Sequence, residues 1–146
     1  MIKYGRLTVG VLGLVAVYAL QHQIFYNLPF QLELGPQVYD REAINTSAFI
    51  GSKVLRFILN DFFAILVITA LFPERKYLNF ALGVFAFGFV ILLPTYLILF
   101  LNYFEETFTY QNHIHRVVMN PLLMMLLIPA FYAQKANAKK ELENRL

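Results

Sequence analysis

The apolar residues of this chain lie in long blocks, set apart by short polar stretches, rather than at the alternating period of a half-buried strand. Blocks of about 20 residues match what a helix needs to cross a hydrocarbon core. Four such segments are expected, at residues 7–25, 48–72, 77–101 and 114–134. The third, YLNFALGVFAFGFVILLPTYLILFL, carries no charge, and Pro94 within it predicts a kink. Residues 26–47 contain Pro29, Gly35 and Pro36 beside Asp40, Arg41 and Glu42, which predicts a loop on the membrane surface. Thr46 or Ser47 is suited to cap the second helix. Residues 102–113, NYFEETFTYQNH, predict a second loop.

Composition agrees with the blocks. Of 146 residues, 59% are hydrophobic and 14% charged, where a soluble domain carries roughly 25% charged residues. The expected fold is therefore an all-α integral membrane protein, one membrane domain of four transmembrane helices in contact with membrane lipid, ending in a basic tail at residues 135–146.

Charge sets the expected orientation. Lys3, Arg6, Arg75, Lys76 and the tail residues Lys135, Lys139, Lys140 and Arg145 fall on one side, against Arg41 and Arg116, plus at most Lys53 and Arg56, on the other. Both termini are thus expected inside. The basic start and Val17-x-Ala19 also fit a signal peptide, but the apolar run exceeds the usual core of about 7–15 residues, so retention is expected. Gly5, Gly10 and Gly13 do not form a Gly-x-x-x-Gly face, and no close helix contact is expected from them.

Residues 56–76, RFILNDFFAILVITALFPERK, have an echo 60 positions later in RVVMNPLLMMLLIPAFYAQK. Arg56 and Arg116, Asn60 and Asn120, Leu66 and Leu126, Ile68 and Ile128, and Ala70 and Ala130 coincide without a gap. The echo is either a duplication of helical hairpins or a coincidence of apolar segments. With both termini inside, the two copies run in the same direction. In each copy arginine and asparagine stand four residues apart, one turn along one helix face.

These polar residues are the candidate site: Arg56, Asn60, Asp61, Arg116 and Asn120. A charge at mid-bilayer costs roughly 2.5 to 3.5 kcal/mol on the insertion scale, so Asp61 is expected to face protein, a cation or water. One reading pairs it with an arginine, Arg116 across the bundle, to lock the helices. The other gives the residues a substrate- or partner-binding role. Lys53, on the same stripe as Arg56 and Asn60, is expected to lift its charge to the interface.

No cysteine is present, which removes disulfides, thiolate metal sites and cysteine nucleophiles. His113-x-His115 near Glu105 and Glu106 is a weak metal pattern, since residues two apart on a helix point away from each other; no metal and no cofactor is expected. The net charge of +3 follows from the orienting charges, and no nucleic-acid motif accompanies it.

The segments QHQIFYNLPF, RFILND and HRVVMNPLLMMLLIPAFYAQK together resemble the small exosortase F-associated membrane proteins of flavobacteria. The likeness spans residues 20–135 and is most specific in RxxxNPLxxxxLIPAFYxQK. It implies a companion, in the bacterial inner membrane, of an exosortase F-like transpeptidase. Exosortases use a cysteine with an arginine and a histidine, so this chain is not the enzyme and inherits no catalytic residue. The expected function is a non-enzymatic accessory protein that binds the exosortase or its substrate. The alternative is a small transporter or lipid-handling protein using the intramembrane arginines, asparagines and Asp61.

Overall fold

The computed structural model describes residues 2–20, 46–102 and 104–144, all built from helix and short breaks. Helix α1 is Ile2–Ala19 and α2 is Thr46–Leu71. Helix α3, Arg75–Phe87, passes through a π turn at Gly88–Leu92 into α4, Leu93–Asn102. Helix α5 is Phe104–Met119 and α6 is Leu122–Glu143. The expected surface loop at 26–47 falls almost wholly outside the described residues, as does the stretch at 21–25 ending the expected first span.

Two helices are long and apolar enough to cross a membrane, α2 and the continuous rod Arg75–Asn102. A bent pair, His113–Met119 with Leu122–Glu141, makes a third crossing if it acts as one span. Helix α1 is a shorter apolar helix over Tyr4–Ala19. Outward faces bear Val15, Phe62, Phe80, Val90, Ile98 and Leu126, all exposed. So much apolar surface turned outward suits a hydrocarbon surround and marks a membrane protein.

The chain packs as antiparallel neighbours. Phe72 meets Tyr77 at one end of the α2–α3 pair, Phe57 meets Phe85 and Phe89 in the middle, and Phe49 stacks on Phe100 at the other end. Pro73 ends α2 because it has no N–H to donate, and the turn closes with the Tyr77 amide on the Glu74 carbonyl at 3.1 Å. Lys76 Nζ lies 2.8 Å and Lys135 Nζ 3.7 Å from the Glu74 carboxylate, tying this turn to α6. The hydrogen bond from Lys76 holds the Glu74 carboxyl below its usual range.

Helix α1 lies along α2 through its glycines, contrary to the sequence reading. A side chain at Gly10 would meet Val67 Cγ2 at 2.7 Å and the Phe63 carbonyl at 3.0 Å, and one at Gly13 would strike the Phe63 ring. The register descends on α2 as it rises on α1, so this pair is also antiparallel. Lipid tails are as apolar as the helices, and association rests on close packing that small residues permit.

The copies of the echo stand side by side and parallel. Asn60 touches Met119, Ala64 and Ile68 share a buried cluster with Met124 and Leu127, and Phe72 packs on Phe131 and Tyr132. They differ in shape, for α2 is one unbroken helix while α5 and α6 meet at 67°. The expected single helix at 114–134 is thus corrected to two. In the second copy Pro121 stands where the first has Asp61. Proline denies Val117 its i+4 donor and biases Asn120 away from helical backbone.

Pro94 lies just past the π turn, where the Leu93 amide reaches back five residues to the Gly88 carbonyl, and the helix runs on to Asn102. Gly88 lets the Phe57 ring come close there, 2.9 Å from where a Cβ would sit. Residues 104–113 belong to a helix rather than a loop; no glycine or proline interrupts the chain between Thr95 and Asn120.

Candidate functional site

Buried apolar residues form two clusters. One holds Phe49, Phe57, Tyr96, Phe100 and Met119, and the other Ala64, Phe72, Tyr77, Met124 and Phe131. The polar residues of α2 fall between and beside them, level with the bend at Asn120–Pro121. Lys53 is 2% exposed, and Arg56, Asn60 and Asp61 are each 7% exposed. Spacings of three and four align Lys53, Arg56 and Asn60 on one face, while Asp61 is turned about 100° from Asn60.

Arg56 opens toward α1. With Leu14, Val17, Tyr18, Asn60, Asn120 and Pro121 it lines a cavity of about 60 Å³. This is several times the roughly 10–15 Å³ that one water requires. Arg56 Nε is buried and has no hydrogen-bond partner among the described residues. Asn60 donates from Nδ2 to the Met119 carbonyl at 2.7 Å, holding the end of α5 against α2.

Asp61 opens the other way. It lines a separate cavity of about 10 Å³ with Phe57, Val84, Gly88, Val118 and Asn120. The expected ion pair with an arginine is not formed. Every ion pair among the described residues lies at the Glu74 end or farther along α6, and none involves Asp61, Lys53, Arg56 or Arg116.

Of the five sequence-derived candidates, the first cavity therefore gathers Arg56, Asn60 and Asn120, and the second Asp61 and Asn120. Arg116 is exposed on α5 and lines neither cavity.

Three neighbours lie outside the five candidates. Lys53 is enclosed rather than lifted outward, its ammonium 5.2 Å from the centre of the Phe49 ring. Tyr96 OH and His115 Nδ1 are hydrogen-bonded at 2.8 Å, joining α4 to α5. The one available signal was the stripe that Lys53 shares with Arg56 and Asn60; Tyr96 was hidden inside a charge-free apolar block. No group of three histidine, aspartate or glutamate side chains that could hold a metal occurs among the described residues.

Chemically, the first cavity presents donors. A guanidinium fork and two primary amides suit a carboxylate, a phosphate or a backbone carbonyl. A groove of about 430 Å³ between Lys76, Tyr77 and Phe80 of α3 and Ala130, Phe131 and Gln134 of α6 lies at the Glu74 end, away from these groups. Comparison with family models, with curated proteins and with solved structures finds no match to this chain.

Proposed function

We propose that this chain is a non-enzymatic accessory protein of an exosortase-type sorting system in the bacterial inner membrane. It binds the exosortase or its substrate through the cavity of Arg56, Asn60 and Asn120. The membrane topology that goes with this reading has four spans and both termini in the cytoplasm.

The observation that carries the reading is the pair of enclosed cations, Lys53 and Arg56, without an acidic partner among the described residues. Leaving cations unpaired in an apolar bundle is costly, and a partner's acceptor groups would offset that cost. Depth supports it too. At about 1.5 Å per residue from Phe72, Arg56 lies about 24 Å and Lys53 about 28 Å along α2. A hydrocarbon core is about 30 Å thick, so these residues approach the face opposite the Glu74 turn, within reach of a partner there. The resemblance in RFILND and RxxxNPLxxxxLIPAFYxQK supplies the sorting context.

Purification of the tagged chain from its native membranes tests the proposal. A stable complex with an exosortase-type transpeptidase is the expected result. A self-contained oligomer that passes ions or lipids after reconstitution would replace it with the transporter reading.

A further inference from the structure

The groove between α3 and α6 opens to the surroundings with an aromatic floor. Tyr77 and Phe131 form that floor, both buried, with ring centres 4.7 Å apart, and the exposed Phe80 ring stands 5.8 Å from Phe131. Lys76, Ala130 and Gln134 complete the rims and are exposed as well. Ala130 contributes only a methyl group, and the opening of about 430 Å³ is within the size range of small-ligand sites.

Polarity is graded from the mouth of the groove inward. Helix α3 starts at Arg75 and runs into the bundle, so Phe80 lies about 6 Å deeper than Lys76, and Ala130 lies about 6 Å deeper than Gln134 on α6, which runs the other way. An ammonium and an amide thus stand at the mouth, with aromatic rings below them. The mouth lies at the end of the two membrane-length helices, where hydrocarbon gives way to headgroups. Its charge is unbalanced. Lys76 at 2.8 Å and Lys135 at 3.7 Å share the single Glu74 carboxylate, and the adjoining Arg75 is exposed and in no ion pair among the described residues. The two lysine side chains remain 60% and 51% exposed, and each ammonium has three donors, more than Glu74 uses.

We infer that the α3–α6 groove seats one anionic phospholipid, its phosphate at Lys76 and Lys135 and the upper part of an acyl chain over Tyr77, Phe80 and Phe131. Charge and shape both select it. Basic pockets between membrane helices take anionic headgroups, and three cations against one acid leave positive charge for the phosphate to offset. A zwitterionic lipid brings no net charge to the mouth, and a soluble anion would leave the aromatic floor uncovered. The groove is remote from the Arg56 cavity, and its occupant does not depend on how that cavity is used.

The chain has no tryptophan, so Phe80→Trp places a single fluorophore on the rim of the groove. The full chain is held in phosphatidylcholine nanodiscs containing rising fractions of brominated phosphatidylglycerol or brominated phosphatidylcholine, and quenching is followed. Half-maximal quenching should need about fivefold less brominated phosphatidylglycerol, the preference that one cation near a membrane surface supplies. Ala130→Leu fills the groove without changing charge and should erase the preference. Glu74→Gln should strengthen it, and Lys140→Gln, farther along α6, should leave it unchanged. Native mass spectrometry of the wild-type chain released from an equal mixture of the two lipids should show one retained phosphatidylglycerol, a readout that needs no tryptophan. Equal quenching by the two lipids, or a preference that survives A130L, would overturn the inference in favour of diffuse surface charge. Quenching by neither lipid would mean that protein covers the groove, and relief of quenching by inorganic phosphate would mean a site for a soluble anion; either contradicts a seated lipid.

Discussion

Asn60 and Met119, 59 positions apart, are joined by a 2.7 Å hydrogen bond from the Asn60 side-chain amide to the Met119 carbonyl. That carbonyl is one of those left at the end of α5 by the break, and the bond lies inside the bundle. Interhelical hydrogen bonds in membranes average about 0.6 kcal/mol and reach about 1.7. Asn60→Leu should therefore lower stability by about 1 kcal/mol. Asn60→Asp, which keeps the shape and loses the donor, should do at least as much. Unfolding of the purified variants in mixed detergent micelles measures both.

The glycine contacts of α1 give a contrast within one helix. A side chain at Gly13 runs into the Phe63 ring, whereas nothing lies within 4 Å of one at Gly5. Gly13→Leu should destabilise the α1–α2 pair by about 1 to 3 kcal/mol, as overpacking does. Gly5→Leu should leave it unchanged. The same unfolding assay reads both.

Helices α2 and α3 were legible in the sequence because each is a long apolar block, and their observed bounds, Thr46–Leu71 and Arg75 onward, fall within two residues of expectation. The shape of the fourth segment was not legible. Three prolines sit in or between apolar helices here and meet three fates: Pro94 follows a π turn within a continuing helix, Pro129 stays inside α6, and Pro121 lies at the break between α5 and α6. Proline chemistry is the same in each, so the outcome depends on which neighbour meets the freed carbonyls. At Pro121 that neighbour includes Asn60, a tertiary partner that no local pattern reveals. The site followed the same division. The Arg56–Asn60 stripe was readable as helical spacing, but the separation of Arg116 from it required the bend.

Pro121 is accordingly the residue that sets the bend. Spin labels at Tyr110 and Leu126, exposed positions on α5 and α6, report the angle through their separation. Pro121→Ala restores the donor for the Val117 carbonyl and should lengthen that distance as the two helices straighten. An unchanged distance would assign the bend to packing alone.

Orientation is testable because the chain has no cysteine. A single cysteine at position 140 should stay unreactive to an impermeant maleimide added to intact spheroplasts and react after the membrane is opened. Labelling from outside would reverse the inside placement of the C-terminus.

The central claim is that the enclosed arginine cavity binds a partner. Tandem purification of Arg56→Lys, Arg56→Met and wild-type chains from native membranes, with the exosortase counted per mole of bait, tests it most directly. Lysine keeps the charge and loses the guanidinium fork, so R56K should retain insertion and expression but recover clearly less partner, and R56M less again. Equal recovery of the exosortase by all three chains, each inserted and folded, would contradict the account.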